Sequence, residues 1–298
     1  MESNKDKTEI GNLVPPRKSA TIDALLKVNK VEHPIAKKYL EEYAKYQENF
    51  EKHLEIIPKK QEVILPELKP IDVESLYDLF KSAFQFFNEK TFDENANNGE
   101  GRKLARTLIA YFLNKKSFYK SPIIYSKLNE PSLDKGLLII GGFGCGKTSI
   151  IKTFHQMFQY AVSNPITVKD IEGTEQFLGR YKLGLPFYTT NDVVEDFEKI
   201  SEKEEKDFFW KRHNFGLKYY DDLMTERTAS NYGKVEIFKD ILEKRYSNNS
   251  KTMVSMNYSG NSVEETLDAI SDKYGERVYD RIFEMFNIID LHGKSLRK

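Results

Sequence analysis

Cysteine is almost missing: Cys145 stands alone among 298 residues. One thiol can build neither a disulfide framework nor a cysteine zinc site, and a reducing compartment suits such a chain. An excess of charge is missing too, since 46 Lys and Arg balance 46 Asp and Glu. With no net field, nothing draws the whole molecule onto nucleic acid or a membrane surface; such binding has to come from local patches. No run of about 18 apolar residues occurs, which argues against a spanning helix. The stretch Met1 to Lys7 is polar with no apolar segment behind it, so no secretory signal is expected. These absences predict a soluble, cytoplasmic, globular protein that avoids membranes. Aromatics, by contrast, are plentiful at 20 Phe and 17 Tyr. The length allows one large domain and a smaller one.

The most specific signal lies at 136–149. An apolar run, Leu137-Leu138-Ile139-Ile140, enters Gly141-Gly142-Phe143-Gly144-Cys145-Gly146-Lys147-Thr148-Ser149. The pattern of Gly, four residues, then Gly-Lys-Thr is that of a phosphate-binding loop. Glycines let successive backbone N–H groups turn inward around phosphate oxygens. The helix that follows aims its positive end at the same anion. Residues 141–149 are therefore the candidate ATP contacts, with Lys147 on the outer phosphates and the Thr148 hydroxyl on Mg²⁺. A glycine-rich turn that binds nothing is the alternative. The apolar strand before and the helical pattern after, about 147–162, weigh against it.

Downstream, strand and helix patterns alternate. Strands are predicted at 137–140, 186–190, 216–221, 252–256 and 287–291. Helices are predicted at 147–162, 192–202, 234–246 and 262–272, the last opened by the capping box Ser262-x-x-Glu265. Such alternation predicts an αβα core with a five-stranded parallel sheet. Its ligand site lies at the carboxyl ends of the strands. Upstream, residues 1–20 carry Pro15-Pro16 and are expected to be disordered. Pro34 suits the first turn of a helix with Ile35, Tyr39, Tyr43, Tyr46, Phe50 and Leu54 on one face, stopped at Pro58. That stripe packs either on the chain's own core or on a partner. Asp72 caps a second helix through Phe87, with Leu76, Leu79, Phe80 and Ala83 inward. A loop, Asn95 to Gly101, precedes a third helix, about Glu100 to Asn114. The expected organisation is a tail at 1–20, a helical partner-binding region at 21–130, and a nucleotide-binding domain at 131–298.

About 75 residues after the loop, Lys218-Tyr219-Tyr220 ends in Asp221-Asp222. Paired carboxylates at a strand end suit Mg-ATP hydrolysis: Asp221 holding Mg²⁺ and Asp222 polarising the attacking water. A solvated surface pair is the bland alternative. A later strand ends at Asn257, which either neighbours the γ-phosphate or forms a turn. Arg277 and Arg281 are four apart and share a helix face. An arginine supplied to a neighbour's γ-phosphate speeds hydrolysis about 10³–10⁵-fold, though exposed arginines are more often solvated or paired. The run from Glu202 to Asp207 reads as a solvated helix face.

Taken in order, Gly-Gly-Phe-Gly-Cys-Gly-Lys-Thr, Tyr-Tyr-Asp-Asp-Leu-Met-Thr-Glu, Lys-Arg-Tyr, Ser-Met-Asn, Tyr-Gly-Glu-Arg-Val-Tyr-Asp-Arg-Ile and Gly-Lys-Ser-Leu-Arg resemble the AAA+ ATPases of the DnaC/IstB group. That group contains helicase loaders and transposition helper ATPases. The likeness covers about 136–298. It implies a P-loop NTPase core of AAA+ type that assembles side by side, usually on DNA. It implies Asn257 as sensor 1 and Arg281 as the finger reaching the next subunit, with Arg277 as the alternative. Arg297 is implied near the nucleotide. Two departures stand out. Asp222 occupies a position where Glu is commoner, which suggests slow hydrolysis. Only about 17 residues follow Arg281, so no C-terminal helical lid is expected.

For single-stranded DNA, Ser230-Asn231-Tyr232-Gly233-Lys234 matches the group's strand-contacting segment, and Arg180 lies in a loop that interleaves basic and aromatic residues; for each, a surface turn with an exposed tyrosine is the alternative. The leading expectation is a DnaC-like helicase loader. It would hydrolyse ATP slowly, be stimulated by self-assembly or DNA, and hold a replicative helicase through its N-terminal helices. An IstB-like helper that positions a transposase is the alternative within the group. A small-molecule phosphotransferase and an ATP-binding interaction protein are alternatives outside it.

Overall fold

The computed structural model describes residues 67–230 and 233–297, with isolated helical positions at Glu41, Ala44, Lys45 and Glu48. The chain divides into two units, 1–66 and 67–298, and the second is described here. The expected tail at 1–20, the apolar stripe from Ile35 to Leu54, and Tyr232 lie outside the described residues.

Helix α1 (Val73–Asn88) begins where the Asp72 carboxylate accepts from the Ser75 N–H, 2.9 Å away. Helix α2 spans Ala96–Phe112, but Asn97, Asn98 and Gly99 have left-handed backbones, with φ of 51°, 57° and 77°. Regular helix therefore starts at Glu100, in keeping with a loop over Asn95–Gly101. Strand β1 (Gly136–Gly141) feeds the phosphate loop and α3 (Lys147–Ser163). A small antiparallel pair follows, β2 (Thr167–Lys169) and β3 (Glu175–Phe177). Then come β4 (Phe187–Thr189), α4 (Thr190–Glu198), α5 (Lys203–Asn214) and β5 (Lys218–Asp221). A second short pair, β6 (Ala229–Ser230) and β7 (Lys234–Val235), leads to α6 (Ile237–Ser247). The order ends with β8 (Thr252–Asn257), α7 (Val263–Tyr274), α8 (Glu276–Met285) and β9 (Phe286–Leu291).

The main sheet has the order β4-β5-β8-β1-β9, all parallel. The five predicted strands are its strands. Because side chains alternate across a strand, β1 serves two cores at once. Leu137 and Ile139 face one with α1, α2 and α3, through Phe80, Leu108 and Phe154. Leu138 and Ile140 face the other with α6, α7 and α8, through Ile241, Leu267 and Ile282. Burial on both faces explains why β1 reads as an unbroken apolar run from Leu137 to Ile140.

The unit begins at Glu67 rather than at residue 131. The reason is aromatic packing. Phe80 of α1 stacks on Phe154 of α3 at 4.6 Å between ring centroids, and Phe92 meets Phe80 edge-on at 5.2 Å. The Asp72 N–H donates to Lys169 O at 3.0 Å, which ties the start of α1 to β2. The boundary expected at 130/131 thus cuts through one core. The helix expected at 192–202 begins at Thr190, because the Thr189 hydroxyl accepts from the Asp192 N–H at 3.1 Å. It stops at Glu198, and α5 opens separately on a capping box of Glu202 and Glu205.

Candidate functional site

Register assembles the site. Gly141, the last residue of β1, lies opposite Asn257 of β8 and Leu291 of β9. The phosphate loop therefore leaves the sheet with Asn257 on one side and the segment after β9 on the other. Gly144 and Gly146 have φ of 70° and 103°, a region that glycine enters without steric penalty. At Gly144 the space is also closed, since a Cβ there would lie 2.4 Å from the Ser295 Oγ.

A cavity of about 590 Å³ opens over the loop. Its lining includes Phe143 through Ser149, Asp222 and Asn257. Lys147 is buried. Its ammonium donates to the carbonyls of Gly141 and Gly142, at 2.8 and 3.0 Å, and to the Asn257 Oδ1 at 3.1 Å. Burial pushes its pKa down, and the neighbouring Cys145, Asp222 and Asp221 pull the other way. Phe143 is 71% exposed at the rim.

The two aspartates differ in setting. Asp221 is buried, and its Oδ1 accepts from the Tyr219 hydroxyl at 2.5 Å and the Ser255 hydroxyl at 2.6 Å. Asp222 faces the cavity from a left-handed backbone with φ of 58°. Its carbonyl accepts from the hydroxyls of Thr190 and Thr225, at 2.9 and 2.7 Å. Burial, and then the adjacent charge of Asp221, raise the Asp222 pKa. Crowded carboxylates beside a helix-borne threonine fit a hard cation. Mg²⁺ needs only one or two protein oxygens beside water and phosphate; of the candidates, Thr148 and Asp222 border the cavity and Asp221 lies behind them, outside its lining.

Arg277 and Arg281 stand apart, and neither lines the cavity. Arg281 is 15% exposed, lies over the Tyr246 ring at 4.4 Å and sits 3.9 Å from Glu243. Arg277 is 69% exposed and 3.8 Å from the same carboxylate. The residues expected to meet DNA form two places. Ser230 and Lys234 belong to the β6–β7 pair, where Ala229 enters the core that holds α6. The Ser230 N–H donates to Glu198 at 3.0 Å. Arg180 donates to Gln176 at 2.8 Å, beside Leu178, which enters the core on the other sheet face.

Sequence reasoning missed part of the lining. Lys90 to Asp93, Ala96, Thr225 and Leu296 also border the cavity, as does Arg297. The Asn-Asn-Gly triplet at 97–99 was the available signal for a left-handed turn. No spacing rule linked it to the phosphate loop. Ser255, inside an apolar run, likewise gave no sign that its hydroxyl would reach Asp221.

No protein-family model matches the chain, and no curated protein matches it. Among solved structures it is similar to one described as the DnaC helicase loader, at 23% identity. That match covers 54% of this chain and 79% of the other, with a TM-score of 0.39. It is also similar to DnaI, at 16% identity over 65% of this chain and 85% of that one, with a TM-score of 0.38. Among the described residues no helix is long and apolar enough to cross a membrane.

Proposed function

We propose that this chain is a DnaC-like ATPase that binds ATP with Mg²⁺ in the cavity over residues 141–149. In this reading it assembles on single-stranded DNA and holds a replicative helicase. One observation carries the nucleotide reading: Lys147, Asn257 and Asp222 converge from three elements on one cavity above the phosphate loop. Glycines and the α3 N-terminus meet phosphate oxygens with backbone N–H groups. Lys147 moves its hydrogen bonds from the Gly141 and Gly142 carbonyls to the outer phosphates. Thr148 and Asp221 hold Mg²⁺, which when bound neutralises charge developing on the phosphates. Asp222 orients the attacking water, and Asn257 keeps Lys147 and that water in line. The loader assignment rests on the run of linked motifs from Gly141 to Arg297.

The test separates binding from turnover. Lys147→Ala is expected to abolish ATP binding. Asp222→Asn should retain binding and lose hydrolysis by about 10²-fold or more, the lower range for a positioned general base. Binding is read with a fluorescent ATP analogue and turnover by phosphate release, with and without a single-stranded oligonucleotide. Normal hydrolysis by Asp222→Asn removes that residue from the chemistry, and unchanged binding by Lys147→Ala removes the cavity from nucleotide binding.

A further inference from the structure

Residues 292–297 cross the phosphate loop after leaving β9. The Leu296 N–H donates to Gly144 O at 2.9 Å, and Leu296 and Arg297 border the cavity. A segment outside the sheet needs partners for its own backbone groups, and Asn97 provides two. Its Nδ2 donates to Lys294 O at 2.9 Å, and its Oδ1 accepts from the Lys294 N–H at 3.0 Å. The clamp spans 197 positions of sequence. Next to it, Glu100 accepts from the His292 N–H at 3.2 Å. The left-handed backbone at Asn97, φ 51°, turns the amide toward the strap. Asparagine tolerates that conformation better than most residues.

We propose that Asn97 is a positioning residue: by clamping Lys294 it holds Arg297 over the cavity, where the guanidinium meets the phosphates of a nucleotide bound to the same chain. The proposal rests on the nucleotide reading above. It gives the cavity a cationic group separate from Lys147 and from the arginines of α8. It also explains why an amide, with one donor and one acceptor, stands at 97: both main-chain groups of Lys294 are engaged at once. The clamp joins the α1–α2 connection to the strap, so both borders of the cavity move together.

The test is a double-mutant cycle in the full chain, with affinities for ATP analogue and ADP read by fluorescence. Asn97→Gly is the clean truncation, because glycine keeps the left-handed backbone. Arg297→Ala should weaken ATP-analogue binding about 10-fold or more, as expected for losing a hydrogen bond to a charged group. Asn97→Gly should weaken it about 2- to 10-fold, the range for releasing one immobilised side chain. The double variant should be no weaker than Arg297→Ala. Both single variants should also flatten the salt dependence of binding, an ionic signature that a purely structural defect leaves alone. Melting temperatures check that Asn97→Gly is folded. Unchanged affinity in Asn97→Gly, or single effects that multiply in the double variant, overturns the positioning role. Absence of nucleotide binding in the wild type overturns the nucleotide reading itself and the proposal with it.

Discussion

His213 shows how far one buried side chain departs from its solution chemistry. Its ring is fully buried against Tyr188, Phe209 and Tyr220. Nδ1 lies 3.1 Å from the Tyr220 hydroxyl, while Nε2 has no hydrogen-bond partner among the described residues. Burial first, then the charges of Arg212, Lys218 and Arg245, push its pKa down to about 3. Below pH 6.5 the unfolded chain takes up a proton that the folded chain refuses, so stability falls as pH falls between about 6.5 and 3. The slope from this one group reaches about 1.4 kcal/mol per pH unit. Denaturant titrations at pH 7.5 and pH 5 should show His213→Gln losing less stability on acidification than the wild type. Equal losses would falsify the buried, neutral histidine. Asp222 makes a related point about backbone. Its left-handed φ of 58° suits Asp better than Glu, because a short polar side chain is tolerated there.

At the scale of elements, α1 and α2 decide what folds. They complete the core over one face of the sheet: Leu76, Phe80, Leu104 and Leu108 bury against Leu137, Ile139, Phe154 and Phe158. Each such side chain contributes roughly 1.5–3 kcal/mol when fully buried, and a whole domain is stable by only about 5–15 kcal/mol. A fragment of 131–298 should therefore lack a cooperative unfolding transition, whereas 67–298 should show one by circular dichroism. Within the whole chain, Phe80→Ala should lower stability by about 3–5 kcal/mol. A cooperative melt from 131–298 would mean that the sheet does not need these helices. The same helices mark the limit of what was legible beforehand. The periodicity of Leu76, Phe80 and Ala83 and the Asp72 cap defined α1, and the Gly-rich loop and apolar runs defined the strands. No pattern told that α1 packs on α3 rather than on a partner, because an amphipathic stripe does not name its acceptor. The two short strand pairs were missed because two or three residues hold too little alternation to read. At the site, Lys147, Asp222 and Asn257 stood out because chemistry and spacing coincide there. Asn97 did not, since its partner lies 197 positions away.

For the molecule as a whole, the question is whether one copy is enough. Arg277 and Arg281 lie on α8, outside the cavity lining of their own chain. An arginine that stabilises the transition state in trans is worth about 10³–10⁵ in rate, so under the proposed reading turnover depends on assembly. Of the pair, Arg281 is packed on Tyr246 and Glu243, while Arg277 is 69% exposed. Reaching a neighbour requires Arg281 to leave both contacts, and Arg277 only to turn from Glu243. Turnover per chain should rise with protein concentration, because occupancy of a shared interface rises with it. Arg281→Ala, Arg277→Ala and Lys147→Ala should each be nearly inactive alone if both arginines serve the interface. Mixing Lys147→Ala with either arginine variant should then restore part of the activity: one partner supplies the arginine and the other an intact nucleotide site. Full activity in one arginine variant assigns the role to the other. Rates independent of concentration, with no recovery at any mixing ratio, would sink the in-trans arrangement for both.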